Sequence, residues 1–355
     1  MEKLQFTQSN SFKMPTEAEL LDLVKEKKFA LFKGIDIFLL ETIGKGGQGV
    51  VLKVASPQGI RDHKTFALKI SVGGQFLEKE IVKSLSFKHE NFIEILGAET
   101  KEGLNVIAME EAKENLLATI ERISPALPGI ELFEELVEQT GECLAELSKV
   151  MVHRDIKPSN ILVFNRPPPF SGLIFKLSDL GISQSLNSVA GKTTTSMAAG
   201  TNMYCSEAFN ITMRQRVLKP DELLAEDSFN LGVTILQFVC ALTKAELDLV
   251  RYEQLEVPEG RLKKLVDDLE DEIPKARTKN FPKFAEGIMQ SIVPDFPPAY
   301  RKFIGRFLEF KFEDRIKPHE IAEEFRKIKI NWDDEEEKPG SFSSPKLSLK
   351  EPQVS

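Results

Sequence analysis

The sequence has little cysteine, and the few cysteines it has are widely separated. Cys143, Cys205 and Cys240 each lie within or beside apolar sequence. This usage excludes a disulfide framework and a zinc knuckle, and it indicates buried thiols in a reducing compartment. We therefore expect a cytoplasmic protein, with access to the nucleus left open.

A long apolar run and an excess of basic residues are also absent. The longest apolar stretch, 231–242, is interrupted by Thr234 and Gln237 and is too short to span a membrane. The first ten residues lack the apolar core of a signal peptide. The formal net charge is -8, the pI is about 5.4 and no basic stripe is present, so nucleic acid is excluded as the main partner.

The sequence does contain enough apolar residues for a sizeable core. Its 41% hydrophobic residues can form such a core, and its length of 355 residues is enough for two lobes or two modest domains. The most distinctive stretch is HRDIKPSN, residues 153–160, which stands between an apolar lead-in and the apolar run 161–164. We interpret it as a loop between a helix and a hairpin whose His, Arg, Asp, Lys and Asn side chains carry chemistry. A polar loop with an Asx turn is the alternative.

A glycine-rich turn lies between two strand-like segments near the N-terminus. Gly44, Gly46 and Gly49 follow the pattern GxGxxG and precede Val50-Val51-Leu52, which is typical of a strand and not of a helix start. Glycine lets the backbone approach phosphates closely, so the turn is a candidate phosphate-binding loop, and a plain hairpin turn is the alternative. The next strand carries Lys69 among apolar residues, which favours the phosphate interpretation.

A third motif, Ser178-Asp179-Leu180-Gly181, follows another strand-like segment. In their order along the chain, the three motifs resemble those of the eukaryotic-type serine/threonine protein kinase family, with Leu180 where that family has Phe. The resemblance covers residues 36 to 328. It implies an α+β, bilobal protein kinase fold, with a small β-rich N-lobe that has one main helix and a larger, mostly helical C-lobe.

The resemblance also implies ATP and Mg²⁺ as cofactors and a role for each motif residue. Asp155 accepts the proton of a substrate hydroxyl, Lys157 and Lys69 complete the catalytic set, and Asn160 and Asp179 hold the metal. The residues implied for nucleotide binding are Gly44, Gly46, Gly49, Val51, Ala67, Lys69, Glu80, Met109, Glu110, Ala112, Asn160 and Asp179. Family spacing favours Glu80 over Glu78 as the partner of Lys69, although helical periodicity does not separate the two acids.

The segment 182–204 is rich in Ser, Thr and Gly, and it occupies the place of the family's activation loop. Its hydroxyls are candidate targets of an upstream activating kinase: Thr193, Thr194, Thr195 and Ser196. Arg154, beside the catalytic Asp155, could pair with a phosphate on this loop. A flexible loop that is never modified is the alternative.

Structural roles follow from the resemblance for several other residues. Asp227 is expected to brace the backbone of residues 153–160, which the resemblance makes the catalytic loop, and Glu207 is expected to pair with Arg315. Cys205-Ser206 stands before Glu207 where the family has Ala-Pro, which loosens that turn. Lys157 and Thr201 together follow the pattern of serine/threonine kinases.

The implied activity is ATP- and Mg-dependent transfer of the γ-phosphoryl group to Ser/Thr hydroxyls of proteins, within a signalling pathway. A catalytically weak pseudokinase that acts as a scaffold or binding module is one alternative. It predicts the loss of one of four residues, and none of them is lost: Lys69, Asp155, Asn160 and Asp179. A small-molecule kinase is the second alternative.

The sequence divides into three parts. Residues 1–33 form an N-terminal extension whose helix begins with a Thr16–Glu19 capping box and either packs on the body or forms a mobile arm. Residues 34–328 form the kinase domain, with the N-lobe at 34–110 and the C-lobe at 113–328. Residues 329–355 are expected to be an acidic, disordered tail.

Overall fold

The computed structural model describes residues 16–46, 49–72, 85–122, 129–170, 172–186, 204–252 and 296–336, with the single positions 282, 285, 286 and 289. Within this part a β-rich N-terminal region is followed by a mostly helical C-terminal region. This division agrees with the predicted bilobal α+β architecture. We call the two regions the N-lobe and the C-lobe, and we call residues 110–113, which connect them, the hinge.

The N-lobe contains one antiparallel sheet with the strand order β1-β2-β3-β5-β4. Its strands are β1 (Phe38–Gly46), β2 (Gly49–Ile60), β3 (His63–Val72), β4 (Ile95–Lys101) and β5 (Leu104–Met109). Because successive side chains of a strand point to opposite faces, the sheet has two different surfaces. On the outer face Leu52, Leu68 and Val106 are buried, whereas Ala67 and Lys69 face the cavity between the lobes.

A helix of the N-terminal extension covers the outer face of this sheet. Helix α1 (Glu17–Glu26) begins with the predicted capping box, which is confirmed by reciprocal hydrogen bonds between Thr16 and Glu19. Its Leu20, Leu21 and Val24 are buried in one cluster with the apolar side chains of β2, β3 and β5. Full burial of such a side chain stabilises the fold by about 1.5–3 kcal/mol. Residues 16–33 therefore pack on the body, which decides between the two alternatives for this segment.

The C-lobe is mostly helical, with two small antiparallel sheets that support its loops. Its helices are α2 (Leu116–Arg122), α3 (Gly129–Leu147), α4 (Glu207–Gln215), α5 (Pro220–Tyr252), α6 (Pro298–Phe307) and α7 (Ile321–Glu336). In one small sheet β8 (Ile161–Asn165) lies between β6 (Glu114–Asn115) and β9 (Leu173–Leu177) and pairs with both. In the other, β7 (Met151–Val152) pairs with β10 (Gln184–Ser185). Residues 153–160 thus follow β7 and precede β8, in the loop position that the sequence predicts.

Aromatic side chains from three helices fix the C-lobe core. Phe133 of α3 packs against Tyr300 of α6 and Phe325 of α7, with ring centroids 5.2 Å and 5.6 Å away. The hydroxyl of Tyr300 donates a hydrogen bond of 2.6 Å to Glu134, which satisfies the one polar atom that this ring buries. These contacts join the later C-lobe helices to α3, the helix that leads to the catalytic loop.

One predicted boundary is corrected by the structure. Helix α7 continues to Glu336, so the tail predicted from 329 is helical for its first eight residues, and residues 337–355 lie outside the described part. Cys143 and Cys205 are buried free thiols, as expected. No helix in the described part of the chain combines the length and apolar character needed to cross a bilayer.

Candidate active site

A cavity of about 790 Å³ lies between the N-lobe sheet and the C-lobe, which is a volume typical of small-molecule and cofactor sites. Nine of the residues predicted for nucleotide binding line it: Gly44, Val51, Ala67, Lys69, Met109, Glu110, Ala112, Asn160 and Asp179. Gly46 and Gly49 pair at the turn between β1 and β2. Glu80 and its alternative Glu78 lie outside the described residues.

Sequence reasoning missed several residues of this cavity. Ile43 and Leu162 bring apolar surface from opposite lobes, and Lys53 and Glu111 bring charge to its hinge end. Period-two alternation placed Lys53 on the same face as Val51 and could have identified it. Leu162 could not be found in this way, because only the packing of the two lobes brings β8 under the sheet.

Glycine is required at the end of the glycine-rich turn between β1 and β2. Gly49 has a φ of +132°, and a Cβ built there would lie 2.3 Å from the carbonyl oxygen of Ile70 on the neighbouring strand. Any side chain at this position would therefore clash with backbone. At Gly44, by contrast, a Cβ would meet only ordinary contacts with Val51. Close packing against β3 thus explains Gly49, whereas Gly44 is free of this constraint.

Lys69 and Asp179 meet at the inner end of the cavity. Nζ of Lys69 lies 3.2 Å from Oδ1 of Asp179, which also accepts a hydrogen bond from the N–H of Gly181 at 3.1 Å. Burial by itself would raise the pKa of Asp179, but the Lys69 charge and these hydrogen bonds outweigh it and hold that pKa below its usual value. The adjacent Leu180 is fully buried in the C-lobe core, so an apolar side chain fills the place where the family has Phe.

The catalytic-loop side chains are held by one another. The carboxylate of Asp155 lies 2.7 Å from Nζ of Lys157, and it accepts a hydrogen bond of 3.0 Å from Nδ2 of Asn160. The same Nδ2 donates to the carbonyl oxygen of Asp155 at 2.8 Å. Because its nitrogen is used in this way, Asn160 has its amide oxygen left as the atom that can bind a metal. The loop therefore presents a fixed carboxylate beside a fixed cation.

His153 connects this loop to the strand that carries Asp179. It is fully buried, its Nε2 donates to the carbonyl oxygen of Ser178 at 3.0 Å, and its Nδ1 accepts from the N–H of Asp155 at 3.3 Å. This pair of bonds needs a neutral ring with the proton on Nε2. Burial lowers the pKa of His153, although Asp179 and Asp155 oppose that effect. His153 is therefore a neutral connector between the two predicted metal-binding segments.

Asp227 of α5 braces the catalytic loop, as predicted. Its two carboxylate oxygens accept hydrogen bonds of 2.7 Å from the backbone N–H groups of His153 and Arg154. Arg154 has a φ of +72°, an unfavourable backbone conformation for a residue other than glycine. Burial raises the pKa of Asp227 to about 7, against the effect of the two N–H donors. The two bonds stabilise the strained turn and so fix the position of Asp155.

The side chain of Arg154 reaches the start of the segment 182–204. Its Nη1 lies 3.4 Å from the carbonyl oxygen of Ile182 and 3.4 Å from Oε1 of Gln184. Burial lowers its pKa from the usual value of arginine. Thr193, Thr194, Thr195 and Ser196 lie outside the described residues, as does Thr201, so the predicted phosphate partner stays a prediction.

The predicted Glu207–Arg315 pair is wrong, because Arg315 pairs with Glu226. Nη1 of Arg315 lies 2.8 Å from Oε2 of Glu226, and the two residues are 2% and 4% exposed. Glu226 also accepts hydrogen bonds from the N–H and the hydroxyl of Ser206 at 2.6 Å and 2.7 Å. Ser206 caps helix α4, and Glu207 is the first residue of that helix. The acid that holds this segment therefore comes from α5 and not from the segment itself.

Comparison with known families agrees with this geometry. The sequence model of the protein kinase domain matches residues 38–325. This chain belongs to the protein kinase family. The predicted resemblance and the bilobal α+β kinase fold are thereby confirmed.

The curated relatives of this kinase are serine/threonine and related protein kinases at low identity. The G-type lectin S-receptor-like serine/threonine-protein kinase LECRK1 of Oryza sativa subsp. japonica is 25% identical over 60% of this chain and 25% of its own length. The mitogen-activated protein kinase kinase MST7 of Pyricularia oryzae is 27% identical over 76% of this chain and 63% of its own. The serine/threonine-protein kinase PknF of Mycobacterium tuberculosis is 25% identical over 47% and 36%. The chain thus spans less than two thirds of the length of these relatives.

The donor set of the cavity fits a magnesium nucleotide, the cofactor that protein kinases use. The carboxylate of Asp179 and the amide oxygen of Asn160 are hard oxygen donors, and both residues line the cavity. Lys69 adds a cation beside them, where negative phosphate groups would be stabilised. A bound metal would be completed by phosphate oxygens and water, as Mg²⁺ prefers when few protein ligands are present.

Proposed function

We propose that this kinase transfers the γ-phosphoryl group of ATP, with Mg²⁺, to serine or threonine hydroxyls of proteins. The carrying observation is two sets of charged and polar contacts that come together where Asn160 and Asp179 both line the cavity. Lys69 contacts Asp179, and Asn160 contacts Asp155, which in turn contacts Lys157. Two metal donors (Asp179 and Asn160), a cation for the phosphates (Lys69) and a proton acceptor (Asp155) thus lie close together in space.

Each side chain has a separate part in the proposed reaction. Lys69 and the glycine-rich loop orient the phosphates, and Asp179 with Asn160 holds the metal, which when bound neutralises charge that develops on the phosphoryl group. Asp155 orients the substrate hydroxyl and accepts its proton. Lys157, 2.7 Å away, stabilises the Asp155 carboxylate and the transferred group. Most of the rate increase comes from placement and charge neutralisation.

The finer assignments rest on the loop residues. The Lys157 side chain beside Asp155 supports specificity for serine and threonine, as in the named serine/threonine relatives. Arg154 at the start of the segment 182–204 supports regulation by an upstream kinase that phosphorylates Thr193, Thr194, Thr195 or Ser196, as part of signalling in the cytoplasm. The substrate protein and the pathway are left to experiment.

The proposal is tested by following γ-labelled phosphate from Mg·ATP to a generic basic protein, with wild type and Asp155→Asn side by side. We expect label on Ser and Thr with wild type and a loss of about 10²-fold or more in the variant. ATP binding should change little, because Asp155 is assigned to the hydroxyl and not to the nucleotide. Lys27→Met, a change at a surface ion pair on the N-lobe, is the control and should keep full activity.

Three other outcomes would contradict the proposal, and a fourth would support the regulatory part of it. Absence of label with ATP still bound would favour a scaffold of the pseudokinase type, and transfer only to small molecules would favour a small-molecule kinase. Equal activity in Asp155→Asn would remove the role assigned to that residue. Mapping of label to Thr193–Ser196 would support autophosphorylation of the loop.

A further inference from the structure

An ion pair joins the N-lobe sheet to the hinge beside the nucleotide cavity. Nζ of Lys53 on β2 lies 2.6 Å from Oε1 of Glu111 in the hinge and 3.7 Å from Oε1 of Glu41 on β1. All three residues line the cavity. The Lys53 and Glu111 side chains are partly buried, with 28% and 24% of their surfaces exposed. We call this contact the roof–hinge ion pair, where the roof is the face of β1, β2 and β3 that covers the cavity.

Strand register explains why Lys53 can reach the hinge. Glu41, Lys53, Ala67 and Met109 are successive partners across β1, β2, β3 and β5. Met109 is the last residue of β5 and directly precedes the hinge. Lys53 therefore stands at the hinge end of the roof, and Ala67 beside it has a small side chain that leaves room for the lysine to extend over β3 towards Glu111.

Glu111 is the hinge residue of this ion pair, and its neighbour Glu110 contacts both lobes. Glu110 exchanges backbone and side-chain hydrogen bonds with Glu94 of the N-lobe at 3.0 Å and 2.7 Å. Its carboxylate also lies 2.6 Å from Nζ of Lys176 on β9 of the C-lobe. The contacts of Glu110 therefore hold the backbone next to Glu111 in place, and the Lys53 side chain extends from the roof towards Glu111.

We propose that the roof–hinge ion pair is a positioning contact that holds the roof against the hinge and slows the release of nucleotide. The inference rests on the proposed function only in taking this cavity as the nucleotide site. Val51 and Ala67 form the roof and Leu162 belongs to the C-lobe, so a bound molecule leaves when these surfaces separate. Separation at the hinge end stretches the contact between Lys53 and Glu111.

The partial burial of the pair sets the size of the expected effect. Exposed ion pairs contribute little because solvent screens them, and screening decreases as a pair becomes less exposed. The hydrogen bond and charge of Glu111 raise the pKa of Lys53, so the lysine remains protonated at physiological pH. We therefore expect removal of either charge to accelerate nucleotide release by about two- to fivefold.

The experiment measures release of a fluorescent ADP analogue, with Mg²⁺ present, by stopped-flow mixing with excess ADP. Wild type is compared with Lys53→Met, Glu111→Gln and the double variant. Each single variant should release the analogue about two- to fivefold faster, and the double variant should be no faster than the faster single one, because one interaction is removed in all three. High salt should accelerate release from wild type more than from the variants.

Lys27→Met is the matched control. Lys27 and Glu102 form an ion pair of the same 2.6 Å length on the N-lobe surface, and neither residue lines the cavity. The Lys27→Met variant should therefore release the analogue at the same rate as wild type. Equal rates in wild type and Lys53→Met would overturn the inference while leaving the proposed function intact, and additive acceleration in the double variant would show that the residues act separately. Failure of wild type to bind the analogue would instead overturn the proposed function itself.

Discussion

The guanidinium of Arg315 and the carboxylate of Glu226 form a buried ion pair, with Nη1 and Oε2 separated by 2.8 Å. Glu226 directly precedes Asp227 on helix α5. Consecutive residues of a helix point in different directions, so one turn of α5 holds two segments at once. Glu226 binds Ser206 at the start of α4, and Asp227 binds the backbone of the catalytic loop. The loop and the segment after residue 203 thus have a common anchor.

Removal of Glu226 should destabilise the protein far more than removal of Glu207. Glu226→Ala leaves the Arg315 charge buried and unpaired, and we expect the free energy of unfolding to fall by about 3–5 kcal/mol. Glu207→Ala removes only an acid in the first turn of α4, and we expect a loss of about 0.3–1 kcal/mol. Urea denaturation of the two variants measures both values. Equal losses would instead support the originally predicted pairing of Glu207 with Arg315.

Replacement of Lys69 should remove activity without removing the fold. Lys69→Met eliminates the cation that faces Asp179 and the proposed phosphate site, and we expect kcat/KM to fall by about 10²-fold or more. Steady-state phosphorylation of a basic protein measures this fall, and circular dichroism checks that the variant is folded. A variant with wild-type turnover would show that the phosphates are positioned by other groups.

The neutral state of His153 should make stability depend on pH. The folded protein holds the pKa of this ring below its ordinary value of about 6.5, so the contribution to stability is fully present above that value and is lost as the pH falls through the lower folded-state pKa. His153→Gln keeps a donor and an acceptor but does not titrate. We expect wild type to lose more stability than this variant between about pH 7 and pH 5.

Thermal denaturation of both proteins at several pH values tests this prediction. The comparison cancels the contributions of other groups, including Asp227, whose raised pKa of about 7 acts with the opposite sign. Parallel curves for wild type and His153→Gln would show that His153 has the same pKa in the folded and unfolded chains.

The N-terminal helix should behave as part of the kinase core. Leu20 is 1% exposed, and its truncation to Ala removes apolar contact with the outer face of the sheet, so we expect a loss of about 2–5 kcal/mol. Leu117→Ala, at a leucine that is 40% exposed, is the matched control and should cost less than about 1 kcal/mol. If Leu20→Ala and the control lost equal stability in urea denaturation, α1 would not be packed as described.

Much of the candidate active site is local in sequence and could be predicted from it. Asp155, Lys157 and Asn160 lie within one loop, and the contacts among them span few residues, so their types and spacing already indicate the chemistry. The same holds for the capping box of α1 and for the alternation that places Ala67 and Lys69 on one face of β3. The kinase fold could be predicted because these local motifs resemble those of the protein kinase family and occur in the same order.

The rest depended on which distant residues meet. Arg315 is 89 positions from Glu226, and both Glu207 and Glu226 are acids that the sequence alone could assign to it. The roof–hinge ion pair and the place of Leu162 likewise depend on strand register and on how the lobes pack. The sequence determined the family and the residues that we propose as catalytic, because both depend on local spacing. The tertiary structure decided the partners of the buried charges, because burial makes an unpaired charge costly and only packing determines which acid is within reach.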